Sequence, residues 1–275
     1  IYVGSCIHGS TPVFVFIQLF QKMKDRGNVD EVSYGTMLAL YANLHTKKSS
    51  DFSSLTARIE ELMEEMNTSS TKTGNNSNNN LQTNTHHFNI IMNSLIRVGK
   101  LTKATELLIQ MEDHYKNKNY SMKPNVISYS TLMNGYAKSN NPDKAKQTKI
   151  VFKRMKTMYE AGNHDARPNF VSYVTLVDSM VKSGRTDAAE QAESIVRTMY
   201  EEYTVGSSTT SGRGSDGVKP NAQLISTVIE CWSKSGHTDA GERAENVLNW
   251  MIDIYQHSNN DPTLRPMAFP FASGK

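Results

Sequence analysis

The stretch PNVISYSTLMNGYAKSNNPDKA, from Pro124 to Ala145, occurs a second time as PNFVSYVTLVDSMVKSGRTDAA, from Pro168 to Ala189. A third version, PNAQLISTVIECWSKSGHTDAG, begins at Pro220. The first two versions agree without a gap at Pro, Asn, Ser, Tyr, Thr, Leu, Lys, Ser, Asp and Ala. Repetition with a period of roughly 20–50 residues indicates an array of small structural units, each of which packs against its neighbours.

Each copy resolves into two helices joined by a turn. In the copy that begins at Pro168, apolar residues recur at offsets of three, four and seven from Tyr173, which is the spacing of one helix face. Gly184 then ends the helix in the left-handed backbone conformation, and a second apolar stripe ends at Met199. The equivalents of Gly184 are Gly99, Asn140 and Gly236. Asn tolerates that conformation better than other non-Gly residues, so we expect it at Asn140 as well.

The repeats predict the domain boundaries. We expect the end of a truncated repeat at 1–30, five repeats at 31–66, 85–125, 126–169, 170–221 and 222–267, and the start of another truncated repeat at 268–275. The segment 67–84 is predicted to be a polar linker and 204–219 a flexible loop, because Asn, Ser, Thr and Gly cannot build a core. The first residue is Ile, so we expect a fragment or a processed piece of a longer protein.

Composition argues against several classes of protein. Hydrophobic residues make up 37% of the 275 residues, which is low for a single large core, and the net charge of +3 names no partner by itself. Cys6 and Cys231 form no CxxC spacing, and the longest apolar run is too short to span a membrane. His86 and His87 are adjacent and would point about 100° apart on a helix, which is unsuited to one metal ion. We therefore expect no catalytic residues, metal, cofactor, small-molecule substrate or membrane.

The residues within the repeats are more informative about the protein family than the repeat length is. The stretch NIIMNSLIRVGKLTKATELLIQM, from Asn89 to Met111, resembles the ordinary unit of the pentatricopeptide repeat family, and the resemblance covers nearly the whole chain. It implies an all-α, right-handed α-solenoid of antiparallel helix-turn-helix repeats. One departure lies in the second helix, where the closing Met111 follows Ala104 by seven positions but the equivalent Met follows its small residue by ten positions in three other repeats. Those repeats run from Ala145 to Met155, Ala189 to Met199 and Gly241 to Met251.

The resemblance also implies a function. Such arrays bind single-stranded RNA, reading one base per repeat, and support RNA processing, stability or translation in a mitochondrion or chloroplast. Other RNA-processing proteins are candidate further partners, and we expect the targeting segment to lie outside this sequence. The alternative is an α-solenoid scaffold that binds proteins or peptides in the same groove.

Single residues receive roles from the same resemblance. One base-reading residue follows the aromatic position of the first helix, and the second follows the Pro before the next repeat. The pairs are Gly35 with Asn84, Asn89 with Asn125, Ser130 with Asn169, Val174 with Asn221, and Ser226 with Met267. A residue two before the aromatic position would sandwich the base. The residues in that position are Val32, His86, Ile127, Val171 and Gln223.

Asn occupies four of the second base-reading positions, and two interpretations of it stand. An Asn after Pro is common at a helix start, where it needs no ligand. As a base reader it donates from its NH₂ group, which suits adenine and cytosine because their ring nitrogens accept. By family usage, Asn89 with Asn125 resembles a pyrimidine reader, cytosine first, and Ser130 with Asn169 an adenine reader. The other three pairs are unassigned.

One cation stands near the end of the first helix in four repeats. These residues are Arg97, Lys138, Lys182 and Lys234. A favourable charge against the helix dipole, worth about 0.3–1 kcal/mol, explains them without a ligand. We expect them in addition to line one edge of the groove and to contact RNA phosphates.

Overall fold

The computed structural model describes residues 11–43, 57–58, 61–62, 64–65, 84–97, 99–208 and 217–266. Its α-helices are α1 (Thr11–Asp25), α2 (Glu31–Asn43), α3 (Thr85–Arg97), α4 (Leu101–Lys116), α5 (Val126–Lys138), α6 (Lys144–Glu160), α7 (Phe170–Val181), α8 (Ala188–Ser208), α9 (Ala222–Lys234) and α10 (Ala240–His257). Three 3₁₀ turns lie at Tyr120–Met122, His164–Ala166 and Pro262–Leu264. Over the described residues the chain is all-helical, without a β-strand, which confirms the predicted fold class.

Contacts divide the chain into two compact units, Ile1–Leu132 and Met133–Lys275, and the division falls within α5. In the first unit, α1 packs on α2, α2 on α3, and α3 on α4. The short connection between α3 and α4 makes this pair an antiparallel hairpin. Its core contains Met92, Leu108 and Met111, which have no solvent-exposed surface. These residues are the ones that the helical periodicity places on the inner faces.

The second unit repeats the hairpin arrangement. Here α7 packs on α8 and α9 packs on α10, while α7 and α9 also pack on each other. Tyr173 of α7 meets Phe152 of α6 edge to face, with ring centroids 4.9 Å apart. Trp232, Met155 and Met199 are buried on the same inner faces. The first helix α7 therefore buries Tyr173 against the second helix of the preceding hairpin.

Polar bonds join the lengthened second helices of this unit. Lys156 of α6 bonds to Glu202 of α8 at 2.7 Å, and Lys149 bonds to Gln191 at 2.7 Å. Farther along, the Arg197 guanidinium of α8 lies 4.6 Å from the ring centroid of Trp250 in α10. Side-chain contacts of these kinds thus bridge successive second helices in this unit.

The predicted flexible loop at 204–219 is wrong at its start, because α8 continues to Ser208. Thr204 fits the helix by donating from Oγ1 to the Glu201 carbonyl at 2.9 Å. The single Gly206 costs about 1 kcal/mol in a helix, which does not end it. Residues 209–216 of that loop, most of the 67–84 linker, and 1–10 and 267–275 lie outside the described residues.

The expected left-handed conformation at Asn140 is also wrong. Gly99, Gly184 and Gly236 have φ angles of 76°, 62° and 67°, whereas the described non-Gly residues with positive φ are Lys118, Asn259 and Asn260. Side chains end α5 in another way. Ser139 donates from Oγ to the Tyr136 carbonyl at 2.7 Å and accepts from the Asn141 amide at 3.3 Å. These bonds turn the chain without a left-handed residue.

No helix in the described part of the chain is both long enough and apolar enough to cross a membrane.

Candidate nucleic-acid interface

An Asn caps the start of each of the helices α3, α5, α7 and α9. Asn169 has an extended backbone, and its Oδ1 accepts from the Ser172 amide at 3.0 Å. Asn221 accepts from the Leu224 amide at 2.9 Å. The same bond runs to Asn125 from the Ser128 amide at 3.1 Å, and to Asn84 from the His87 amide at 3.2 Å. The four Asn residues therefore do cap helix starts, as the first of the two interpretations predicts.

This cap also fixes which end of the amide faces outward. The Oδ1 atom accepts from the helix N–H groups, so the amide cannot be flipped without losing the cap. Within the described residues, the Nδ2 groups of Asn169 and Asn221 donate to no side chain or carbonyl. Capping and base reading are thus compatible, because they use opposite ends of one side chain.

A hydrogen bond joins the two members of one predicted pair in the first unit. Asn89 donates from Nδ2 to Oδ1 of Asn125 at 3.3 Å. Asn89 is buried on α3, whereas Asn125 is half-buried at the start of α5. The sequence predicts this proximity only through the family resemblance, because 36 residues separate the two.

In three repeats, the side-chain oxygen at the first predicted base-reading position has no hydrogen-bond partner among the described residues. Over the described residues, the buried oxygens without a hydrogen bond include Asn89 Oδ1, Ser130 Oγ and Ser226 Oγ. All three belong to that one position of the repeat. Leaving a buried acceptor unsatisfied costs about 1–3 kcal/mol, so native structures rarely do so without a reason such as a ligand.

Two grooves contain further predicted residues. In the first unit, a groove of about 410 Å³ is lined by Val32, Gly35, Thr36, Ala39, Asn84, His86 and His87. Val32, Gly35 and Asn84 are the residues predicted for one repeat, and His86 is the predicted base-sandwiching residue of the next. In the second unit, a groove of about 510 Å³ is lined by Asn221, Ala222, Gln223, Pro262, Thr263, Arg265 and Pro266. Met267, the predicted partner of Ser226, lies outside the described residues.

The predicted base-sandwiching residues are all exposed on the first turn of a helix. Val32, Ile127 and Val171 are 73%, 57% and 58% exposed, and His86 and Gln223 are exposed as well. The aromatic residues that these helices bury in the core are Tyr129 and Tyr173, two positions later. Core packing therefore does not explain the exposed apolar residues. Val174, a predicted base reader, is also exposed.

The four predicted phosphate contacts lie where the sequence places them, at the ends of first helices. Arg97, Lys138 and Lys234 are exposed in last turns, and Lys182 caps the end of α7. Two of them already have an acidic neighbour. Lys182 bonds to Asp178 at 2.6 Å, and Lys234 bonds to Glu230 in the same way, four residues earlier on its helix. A phosphate at these positions would compete with a carboxylate.

The sequence interpretation missed a second set of basic residues. They directly precede the Pro at the start of four repeats and are Lys123, Arg167, Lys219 and Arg265. The sequence feature that could have revealed these basic residues is their constant position directly before Pro. Lys219 bonds to Asp261, whereas Arg265 is exposed and lines the second-unit groove beside Asn221. The groove near Asn221 therefore has a cation at its rim.

The described residues contain no cluster of three or more His, Cys, Asp or Glu side chains that could hold a metal ion.

Comparison with known proteins identifies the repeats. Two family models, both described as PPR repeat, match residues 86–115 and 120–156. The first match covers most of the α3–α4 hairpin, and the second covers α5 and much of α6. No curated protein matches the chain significantly. The matched residues and the helical hairpins together show that the chain contains pentatricopeptide repeats, which in general form helical repeat proteins that bind RNA.

Proposed function

We propose that the chain binds single-stranded RNA with base selectivity and supports RNA processing, stability or translation in an organelle. The observation that carries this proposal is the pairing of Asn89 with Asn125, with an unsatisfied acceptor beside it. Two residues distant in sequence meet at the position where the family reads a base. Proteins of this family are commonly organellar and generally non-enzymatic, which supports the location and the absence of a catalytic role.

The capping geometry supports a particular base chemistry. Because Oδ1 of Asn169 accepts from the Ser172 amide, its Nδ2 group is the end available to a ligand. An outward NH₂ donor favours the bare ring nitrogen of adenine or cytosine over the ring N–H of guanine or uracil. With the family's usage, Asn169 selects adenine, and Asn89 with Asn125 selects a pyrimidine, cytosine first.

Exposed side chains supply the remaining contacts. Val32, Ile127 and Val171 offer apolar surface on which a base can stack, and His86 offers an aromatic ring. The cations at the helix ends and before Pro contribute the salt-dependent attraction to phosphates. Among these cations, Arg265 lines the same groove as the predicted reader Asn221.

The decisive experiment is a selection from random RNA with the unchanged chain and the Asn169→Asp variant. Asp also caps helices, so the fold is retained while the outward donor becomes an acceptor. We expect the preference at one RNA position to move from adenine toward guanine by about 1–3 kcal/mol. Asn246→Asp, an exposed change on the second helix α10, carries the same charge and should leave every base preference unaltered.

The scaffold alternative has a distinct outcome. An unchanged chain that binds no RNA at low or moderate salt contradicts the proposal and favours a protein or peptide ligand. RNA binding with an identical base profile in Asn169→Asp would instead mean that Asn169 serves only as a helix cap.

A further inference from the structure

Asn93 lies on α3 between two residues to which we assign contacts with RNA. It follows Asn89, the first base-reading position of its repeat, and precedes the cation Arg97. The spacing is four residues on either side, and residues four apart are neighbours on one side of a helix. Asn93 and Arg97 are both exposed. The three side chains therefore form a row along α3 that begins at a predicted base reader and ends at a predicted phosphate contact.

Two later repeats show that the middle residue of such a row lies against the cation. The equivalents of Asn93 in the three later repeats are Asn134, Asp178 and Glu230. Asp178 bonds to Lys182 at 2.6 Å, and Glu230 bonds to Lys234. The middle position is thus within reach of a group that binds the phosphate. In α3 this position carries a neutral amide instead of a carboxylate, so a ligand there meets a donor as well as an acceptor.

Neither core packing nor helix stability accounts for the amide of Asn93. The side chain is exposed, so it fills no space in the core. Asn is also among the poorer helix formers, because its amide competes for backbone hydrogen bonds. Within the described residues, the Asn93 side chain makes no hydrogen bond that would offset this cost. Both ends of its amide are therefore open to a ligand that lies along α3.

The order of this row matches the order of the parts of a nucleotide. A ribose joins each base to its phosphate, so a base at Asn89 and a phosphate at Arg97 place the sugar near Asn93. The ribose of RNA carries a 2′-hydroxyl group, which donates and accepts hydrogen bonds, as an amide does. We propose that Asn93 recognises this 2′-hydroxyl on the nucleotide read by Asn89 and Asn125, and thereby favours RNA over DNA. The inference rests on the proposed RNA-binding function.

A scan with 2′-deoxy nucleotides tests this role. The probe is the best-binding RNA from a random-RNA selection with the unchanged chain, remade with one 2′-deoxy nucleotide at a time. In the unchanged chain, we expect one such change to weaken binding by about fivefold, because one net hydrogen bond is lost. In Asn93→Ala, which retains the helix, that penalty should disappear while the base profile stays the same. Asn246→Ala removes an exposed amide from the second helix α10 and, as the matched control, should leave every penalty unaltered.

The outcomes separate this inference from the proposed function. If the unchanged chain binds no RNA, the proposed function fails. If it binds RNA but no 2′-deoxy change weakens binding, or if Asn93→Ala shows the same penalties as the unchanged chain, the role of Asn93 is overturned while RNA binding stands. A base profile that changes in Asn93→Ala would also overturn it, because the residue would then read a base instead of the sugar.

Discussion

Asn89 and Asn125 form a hydrogen bond of 3.3 Å from Nδ2 to Oδ1, although 36 residues separate them in the chain. The same Oδ1 also accepts from the Ser128 amide and from Ser128 Oγ, both at 3.1 Å. Three donors therefore converge on one oxygen, which holds the Asn125 amide in a single orientation. Asn89 Oδ1, by contrast, has no partner within the described residues. Protein donors thus hold the Asn125 amide in place, whereas Asn89 keeps one acceptor that no donor in the described residues satisfies.

Asn125→Asp should change the base read by this pair. The new carboxylate still accepts from Ser128 and Asn89, so the cap and the pair persist, but its second oxygen can only accept. We expect selection from random RNA to shift from cytosine toward uracil at one position, by about 1–3 kcal/mol. A cytosine-to-uracil ratio that stays constant, in a variant that still binds RNA, contradicts the assignment.

Lys182 and its neighbour Asp178 should have opposite effects on RNA affinity. Their ion pair spans 2.6 Å, so Asp178 partly neutralises the cation that we assign to a phosphate. Lys182→Ala should weaken binding equally for all sequences and reduce the slope of log affinity against log salt by about 0.7. Asp178→Asn should raise affinity, because it frees the ammonium and removes a negative charge.

Lys153→Ala is the control for these charge changes. Lys153 is exposed on the second helix α6, away from the ends of the first helices, and its loss should alter the salt slope much less. A change of base preference in Lys182→Ala, with the salt slope unaltered, would show that Lys182 does not contact phosphate.

Two buried tyrosines should differ in their importance for stability. Tyr129 donates to Glu112, which is buried, at 3.0 Å, whereas Tyr173 donates to Glu202, which is exposed, at 3.2 Å. Removing a hydrogen bond from a buried carboxylate costs about 1–3 kcal/mol, while a solvated one finds water instead. We expect Tyr129→Phe to lower the urea midpoint clearly and Tyr173→Phe to lower it less. Equal midpoints for the two variants would contradict this account.

Cys231 should be unreactive in the folded protein. Burial raises the pKa of its thiol to about 11. At pH 8 about one molecule in a thousand then carries the thiolate, against roughly one in four for an ordinary thiol. In a Cys6→Ser variant, we expect alkylation at least about 100-fold slower than in urea, accelerating as the pH rises toward 11. Rapid labelling of the native variant at pH 8 would show that this residue is accessible.

Local patterns predicted much of this molecule. Helical spacing around Tyr173 predicted α7, Gly184 predicted its end, and Pro168 with Asn169 predicted its start. These features depend on backbone conformation and on side chains within a few residues, so one sequence is sufficient. The same locality explains the errors. At Asn140 and Thr204, nearby hydroxyl groups offered hydrogen bonds that compete with the predicted backbone, and residue type alone does not decide between them.

The sequence by itself determined the repeated hairpins, the Asn caps and the positions of the cations, because each of these depends on contacts within one helix or turn. Only the tertiary structure decided which atoms of different repeats meet. It paired Asn89 with Asn125, filled the space at Gly35 with His87, and left Ser226 Oγ buried without a partner in the part of the chain that the structure describes. Such relationships depend on how neighbouring helices pack, since a shift of a few ångströms between hairpins changes every one of them and leaves the local pattern unchanged.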